Sequence, residues 1–225
     1  MRPLDSIVQS VQAAAQWVRQ QVPAIFILLS NALNPHATSR NLEYRRGNIF
    51  GANPAAVLSK YAKINGLVPD LVLECIAELD AKGLRTEGLF RVPGTHTVIN
   101  RMRADIESGK SLSQTPPHNE HDVASVLKMY FRELPSPLFG DIETVNQLAQ
   151  KNELEAFKEH IRRLPEVNRE LMKALFGLLN RVQQQSKFNL MTTKNLALIF
   201  SATLNCSFVT IIFVINHYTY LLQES

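Results

Sequence analysis

Thr86-Glu87-Gly88-Leu89-Phe90-Arg91-Val92-Pro93-Gly94 reads as a loop that holds one arginine still between two glycines. Gly88 and Gly94 admit backbone angles closed to other residues, and Pro93 fixes its own φ while pushing Val92 towards an extended conformation. Leu89, Phe90 and Val92 are apolar and can pin the loop to a core, which leaves the guanidinium of Arg91 facing outward. An arginine presented in this way seeks a phosphate or a carboxylate, because its planar fork donates two parallel hydrogen bonds and keeps its charge. Taken alone, Arg91 reads first as an ordinary surface arginine, and its surroundings have to decide.

Outward from the loop, the chain is helical. A helix is predicted from about Pro69 to Lys82, with Leu71, Val72, Cys75, Ile76 and Leu79 on one face and Gly83 as the glycine that ends it. Another starts near Thr95 and carries Val98, Ile99, Met102 and Ile106 inward. Arg91 would then sit between two helix ends, a rigid mounting for a loop residue. Downstream, Val123, Val126, Leu127, Tyr130, Phe131 and Leu134 fall on one side of a helix, and Lys128 and Arg132 lie together on the opposite side. Like charges four residues apart cost a few tenths of a kcal/mol, which a negative partner would relieve. A plain solvated face is the alternative. Helices are predicted near 141–150, 153–163 and 166–185, the last with an apolar stripe of Leu171, Ala174, Leu175, Leu178, Leu179 and Val182. Thr192 or Thr193 is a natural N-cap that puts Asn195 in the first turn of the next helix, where an asparagine often just satisfies nearby backbone groups. A final helix is expected from about Phe208 to Leu222.

Composition bounds the function. The chain of 225 residues allows one sizeable domain with an extension, and its two cysteines, Cys75 and Cys206, lack metal-ligand spacing. Both read as core thiols in a reducing, cytoplasmic setting. Residues 1–48 hold five arginines against Asp5 and Glu43, which is +3 of the net +4, too narrow a basic field for a nucleic-acid protein. In that segment Ile7, Val8, Val11, Ala14, Ala15, Val18 and Val22 follow helical spacing up to Pro23, and residues 36–48 read as a basic linker. The apolar run from Ala24 to Leu29 is far below the roughly 20 residues of a membrane span. It is expected to pack on the domain or a partner, with weak membrane-surface contact through residues 1–48 as the lesser option. The domain is placed at 49–225, with a short helix at 54–63. His118 and His121, in a Pro-rich loop without a third ligand, are assigned no metal. No strand-like alternation or Gly-rich phosphate loop occurs, so the fold is read as all-α without a nucleotide site of its own.

Three stretches together resemble the RhoGAP domain, the module that activates GTP hydrolysis by Rho-family small GTPases. They are residues 68–76 with 83–91, then Leu127-Lys128-Met129-Tyr130-Phe131-Arg132-Glu133-Leu134-Pro135-Ser136-Pro137-Leu138, and last Met191-Thr192-Thr193-Lys194-Asn195-Leu196-Ala197. The resemblance implies a multi-helix RhoGAP-type domain over residues 49–225 behind an N-terminal helical extension. It implies that Arg91 is the catalytic arginine finger, that Glu87, Gly88, Phe90 and Gly94 support the finger loop, and that Lys128, Arg132 and Asn195 lie at the GTPase-facing site. The chain would then be an enzyme regulator rather than an enzyme, with GTP and Mg²⁺ bound by a GTP-loaded partner whose signal it switches off. A catalytically weak GTPase-binding scaffold is the alternative. Ala202 stands where the family usually has proline, and the connection after Leu204 is unusually short, which leaves the shape of that edge open.

If residues 1–48 lie outside the working module, a chain starting near Arg46 should unfold cooperatively and stimulate GTP hydrolysis as the full chain does. Loss of folding on truncation would instead show that the apolar run from Ala24 to Leu29 completes the core.

Overall fold

The computed structural model describes residues 49–54 and 67–223. Among them the chain is helical throughout: α1 Asp70–Glu78, α2 His96–Glu107, α3 Glu120–Arg132, α4 Ile142–Gln150, α5 Leu154–Arg163, α6 Glu166–Gln184, the single turn α7 Ser186–Asn189, α8 Thr193–Leu204 and α9 Phe208–Asn216. The helix expected at 54–63 and everything expected of residues 1–48 lie outside the described residues, apart from residue 54.

Local chemistry starts several of these helices, at Thr192 as expected. Asn119 caps α3 by accepting from the His121 and Asp122 amides, while the Asp122 carboxylate accepts from the Asn119 amide at 3.0 Å. Each side chain thus satisfies an amide that the first helical turn leaves bare. Asp141, Thr192 and Ser207 cap α4, α8 and α9 in the same manner.

The core gathers on α6. Its buried residues include Leu171, Leu175, Leu178, Leu179 and Val182 of the expected stripe, and also Met172 and Phe176, so the helix is dry over more of its surface than one face. Ala174 is only half-buried. Phe139 meets Phe176 edge-on at 5.8 Å between ring centroids, and Phe157 stacks at 5.0 Å on Phe213 of α9. These rings join the segment before α4 to α5, α6 and α9. At the other side α1 and α2 pack against α3, whose Val123, Val126, Leu127, Tyr130 and Phe131 are all buried. Leu134 has left the helix and is half-buried.

Four expectations need correction. The helix predicted to run to Lys82 changes at Leu79 into a π-helical turn, Leu79–Gly83, and Gly83 ends nothing by a left-handed conformation. Its lack of a side chain serves close approach instead: a β-carbon there would lie 3.1 Å from Leu79 and 3.5 Å from Glu120. Arg181 of α6 grips Asp80 in that turn with two bonds of 2.7 and 2.8 Å, fixing the end of α1 just ahead of the arginine loop. The last helix is not continuous, because α9 stops at Asn216 and a separate π turn spans Thr219–Gln223. Between them Tyr218 lies over Gly177, where a β-carbon would come within 2.8 Å of its hydroxyl. Cys206 is half-buried rather than a core residue, although burial pushes its thiol up to about 12 and holds the fully buried Cys75 well above the ordinary value. Finally, Val98 and Ile99 of α2 are only partly covered, and Met102 and Ile106 supply its buried face.

The short connection after Leu204 is real: Asn205 turns the chain at φ 51°, and α9 begins three residues later. Asn146 of α4 anchors it by accepting from the Ser207 amide at 2.9 Å and the Thr210 hydroxyl at 2.7 Å. Ala202 lies inside α8, which runs on through that position to Leu204.

Replacing Asn146 by alanine leaves two donors without their acceptor, so Asn146→Ala should lower the unfolding free energy by about 1–3 kcal/mol in a urea titration. A loss below about 0.5 kcal/mol, the scale of ordinary surface substitutions, would show that α9 is not held through this residue.

Candidate functional site

The backbone of the arginine loop is bonded at its entry, its middle and its exit. At the entry the Gly88 amide donates to the Asn189 carbonyl at 2.8 Å, and Gly88 itself stands at φ 69°, open to glycine at little cost. Within the loop the Arg91 and Val92 amides both donate to the Gly88 carbonyl at 2.8 Å. In the middle, the Lys128 ammonium donates to the Phe90 carbonyl at 2.5 Å. At the exit, Gly94 donates to the Ser125 hydroxyl at 3.1 Å and Thr95 to the Asp122 carboxylate at 2.6 Å.

Side chains divide between core and solvent around this frame. Leu89 and Phe90 are buried, and the Phe90 ring meets Phe200 of α8 edge-on at 5.1 Å. Phe90 adopts φ 70°, a region that costs a residue with a β-carbon about 1–2 kcal/mol. Burying its ring returns about 1.5–3 kcal/mol, enough to hold the turn. Arg91 and Glu87 are exposed, and neither side chain has a hydrogen bond or ion pair with a described residue. Val92 does not pin the loop to the core as expected. It is 40% exposed, and its methyl group covers the Gly88 backbone, where a β-carbon would be 2.7 Å away. Gly94 also differs from expectation, because its φ is not left-handed and its requirement is space: a β-carbon would lie 2.5 Å from the Asp122 carboxylate and 2.6 Å from its α-carbon.

Lys128 and Arg132, expected together on the outer side of α3, part company. Lys128 is half-buried and reaches the loop, whereas Arg132 is exposed and its side chain has no hydrogen bond or ion pair among the described residues. Burial lowers the Lys128 pKa from its ordinary value, and the Arg132 charge lowers it further. Asn195, the third of the expected residues, also finds a structural partner. Its side-chain amide donates to the Leu190 carbonyl at 2.8 Å, holding a residue that stands at φ 61° beside Asn189. Asn195 therefore supports the segment that in turn anchors Gly88.

Three contributors were not singled out from the sequence. Asn189 is fully buried, donates to the Leu84 and Val182 carbonyls at 2.7 and 2.8 Å, and accepts from the Met191 amide at 2.7 Å. Asp122 and Ser125 carry the loop exit. Only Asp122 left a local signal, as the acidic residue three positions after an asparagine cap. Among the described residues no cluster of three metal-ligating side chains occurs, and His118 is engaged by the Pro116 carbonyl at 2.7 Å and Glu78 at 3.3 Å.

Exposed apolar side chains border the loop: Val92, Leu190 and, one turn along α8 from Asn195, Leu198 at 69% exposure. The arrangement is an uncompensated arginine on a tightly bonded loop, flanked by a cation and apolar surface, which suits an anionic macromolecular partner.

The chain is similar to several known proteins. The RhoGAP domain family model matches residues 69–207. Mouse Rho GTPase-activating protein 12 is 33% identical over 172 residues, covering 73% of this chain and 20% of the relative. Human Rho GTPase-activating protein 24 is 35% identical over 164 residues, covering 68% of this chain and 22% of the relative. The chain thus spans about a fifth of the length of these two curated relatives. Among solved structures, human Rho GTPase activating protein 15 superposes with a TM-score of 0.69 at 28% identity, covering 79% of this chain and 93% of that one. The BH domain of GRAF, the GTPase regulator associated with focal adhesion kinase, shares the fold at a TM-score of 0.62 and 22% identity, covering 68% of this chain and 93% of that one.

The lowered Lys128 pKa gives a signed prediction. In the window between the folded value and 10.5 the unfolded chain binds more protons, so stability rises with pH there, and the cost of the buried ammonium is fully present at neutral pH. The parent protein should gain stability relative to Lys128→Met as pH rises from neutral towards 10.5. A difference between the two that stays flat with pH would mean that Lys128 is solvated.

Proposed function

The chain belongs to the RhoGAP domain family, and on that premise we propose that it accelerates GTP hydrolysis on a Rho-family small GTPase by inserting Arg91 in trans into the partner's nucleotide site. The observation that carries this reading is the contrast within one loop. The backbone around Arg91 is bonded to Asn189, Lys128, Ser125 and, one residue past Gly94, Asp122, while its guanidinium is exposed and unpaired among the described residues. A structural arginine spends its charge on a carboxylate of its own chain, as Arg103 does on Glu133 and Arg181 on Asp80. Arg91 keeps its charge for another molecule.

On this reading the charge that develops on the transferring phosphoryl group meets a guanidinium already in place, which stabilises the transition state without reorganisation. The partner GTPase binds GTP and Mg²⁺ and positions the attacking water, and this chain supplies the finger. Lys128 and Asn195 act from within, through the Phe90 carbonyl and the Leu190 segment. Arg132 remains free to meet an acidic group of the GTP-loaded partner, while Val92, Leu190 and Leu198 offer it apolar surface.

A finger touches charge that exists mainly in the transition state, so its removal should cost rate far more than affinity. Such arginines are worth about 10³–10⁵ in rate, whereas one exposed ion pair is worth about 1 kcal/mol or less in binding. Arg91→Ala should therefore lose most of the stimulation measured against a panel of GTP-loaded Rho-family GTPases and still bind the responsive one. Arg91→Lys should recover little, because an ammonium lacks the planar fork. Undiminished stimulation by Arg91→Ala would remove the finger assignment, and a parent protein that binds such a GTPase without stimulating it would favour the scaffold reading.

A further inference from the structure

We propose that Asp122 and Ser125, on the first turns of α3, are positioning residues that fix where Arg91 is delivered; the proposal rests on the GTPase-activating reading above. With Lys128 they occupy steps of three along the helix, which places all three within about 120° of one another around its axis. They bind the loop in reverse chain order: Asp122 takes Thr95, Ser125 takes Gly94, and Lys128 takes Phe90. One rigid helix face is therefore the template for the outgoing half of the loop, with Arg91 between the fixed points at Phe90 and Gly94.

The chemistry at the exit leaves little freedom. Ser125 donates its hydroxyl hydrogen to the His121 carbonyl at 2.8 Å, so a lone pair is turned towards the Gly94 amide. Asp122 is 2% exposed and divides its carboxylate, one oxygen accepting from Thr95 and the other from Asn119. It thereby caps α2, whose own N-cap residue Thr95 makes no side-chain cap bond, as well as α3. Two helix starts share one buried carboxylate, and neither can shift without the other. Gly94 lies against the Asp122 backbone so closely that a β-carbon would come within 2.8 Å of its amide nitrogen, a contact no rotamer change can relieve. The glycine, the carboxylate and the hydroxyl together set the distance between the loop exit and α3.

Transition-state stabilisation is steep in distance, and a misplacement of about 1 Å can cost about 100-fold in rate. Loosening the exit should therefore lower catalysis while leaving the docking surface intact. The direct test uses Ser125→Ala, which removes the Gly94 acceptor without emptying the shared cap, with Asp122→Asn as a second variant. For Ser125→Ala the maximal single-turnover rate of GTP hydrolysis at saturating protein should fall about 10-fold or more. Its Kd for the same GTPase loaded with a non-hydrolysable GTP analogue should change by less than about 2-fold, or under about 0.4 kcal/mol. In an Arg91→Ala background the substitution should have no further effect on rate, because there is no finger left to misplace. Without any partner, amide hydrogen exchange at Gly94 should quicken in Ser125→Ala and stay unchanged in α6. An unchanged maximal rate, a loss of affinity as large as the loss of rate, or a full rate effect persisting in the Arg91→Ala background would each overturn the positioning role. If the parent protein itself stimulates no Rho-family GTPase, the functional reading beneath the proposal fails, whatever the exchange data show.

Discussion

Phe90 turns its backbone the wrong way for an ordinary residue, at φ 70°, and the rest of the site follows from what holds it there. Its ring is clamped against Phe200, and its carbonyl faces the Lys128 ammonium. With the side chain of residue 90 driven inward and the next backbone unit reversed, residue 91 must point out. The left-handed turn costs about 1–2 kcal/mol, and the burial and hydrogen bond that accompany it are of similar size or larger. The balance therefore favours one loop shape before any partner arrives. On the proposed function, much of the entropy of arranging a flexible arginine is then lost during folding rather than at the transition state.

Lys128 shows how the two sides of α3 serve one purpose. Its apolar neighbours Leu127 and Phe131 hold the helix to the core, while its own stem runs along protein surface to bring the ammonium to a carbonyl. Burial and the nearby Arg132 both disfavour that charge, so stability alone does not account for a lysine here. The bond it makes to the Phe90 carbonyl accounts for it better.

Much of this was legible in the sequence because helices write a period of 3.6 into their apolar residues. The bounds of α4, α5 and α6 fall within about two residues of their expected places for that reason, and Thr192 marks a helix start by local chemistry. The rest was hidden because it depends on contacts distant in sequence. Nothing local to Gly94 says that Asp122 will lie against it, and nothing local to Leu79 foretells a π turn gripped by Arg181. Phe90 at a positive φ violates the local rule outright, as residues at working sites do when the surrounding fold over-determines them. The sequence thus proposed residues for the site, mainly through resemblance. It did not disclose that two of them, Lys128 and Asn195, work by holding backbone.

Backbone order in the arginine loop, measured by ¹⁵N relaxation on the protein without a partner, tests this account most directly. If the loop is shaped by its own fold, the amides of Gly88, Phe90, Arg91 and Gly94 should show order parameters of about 0.85, matching the helices that flank them. Values below about 0.6 at these amides, with α3 and α6 remaining rigid, would contradict it, because the loop would then be a flexible segment ordered only on meeting a partner.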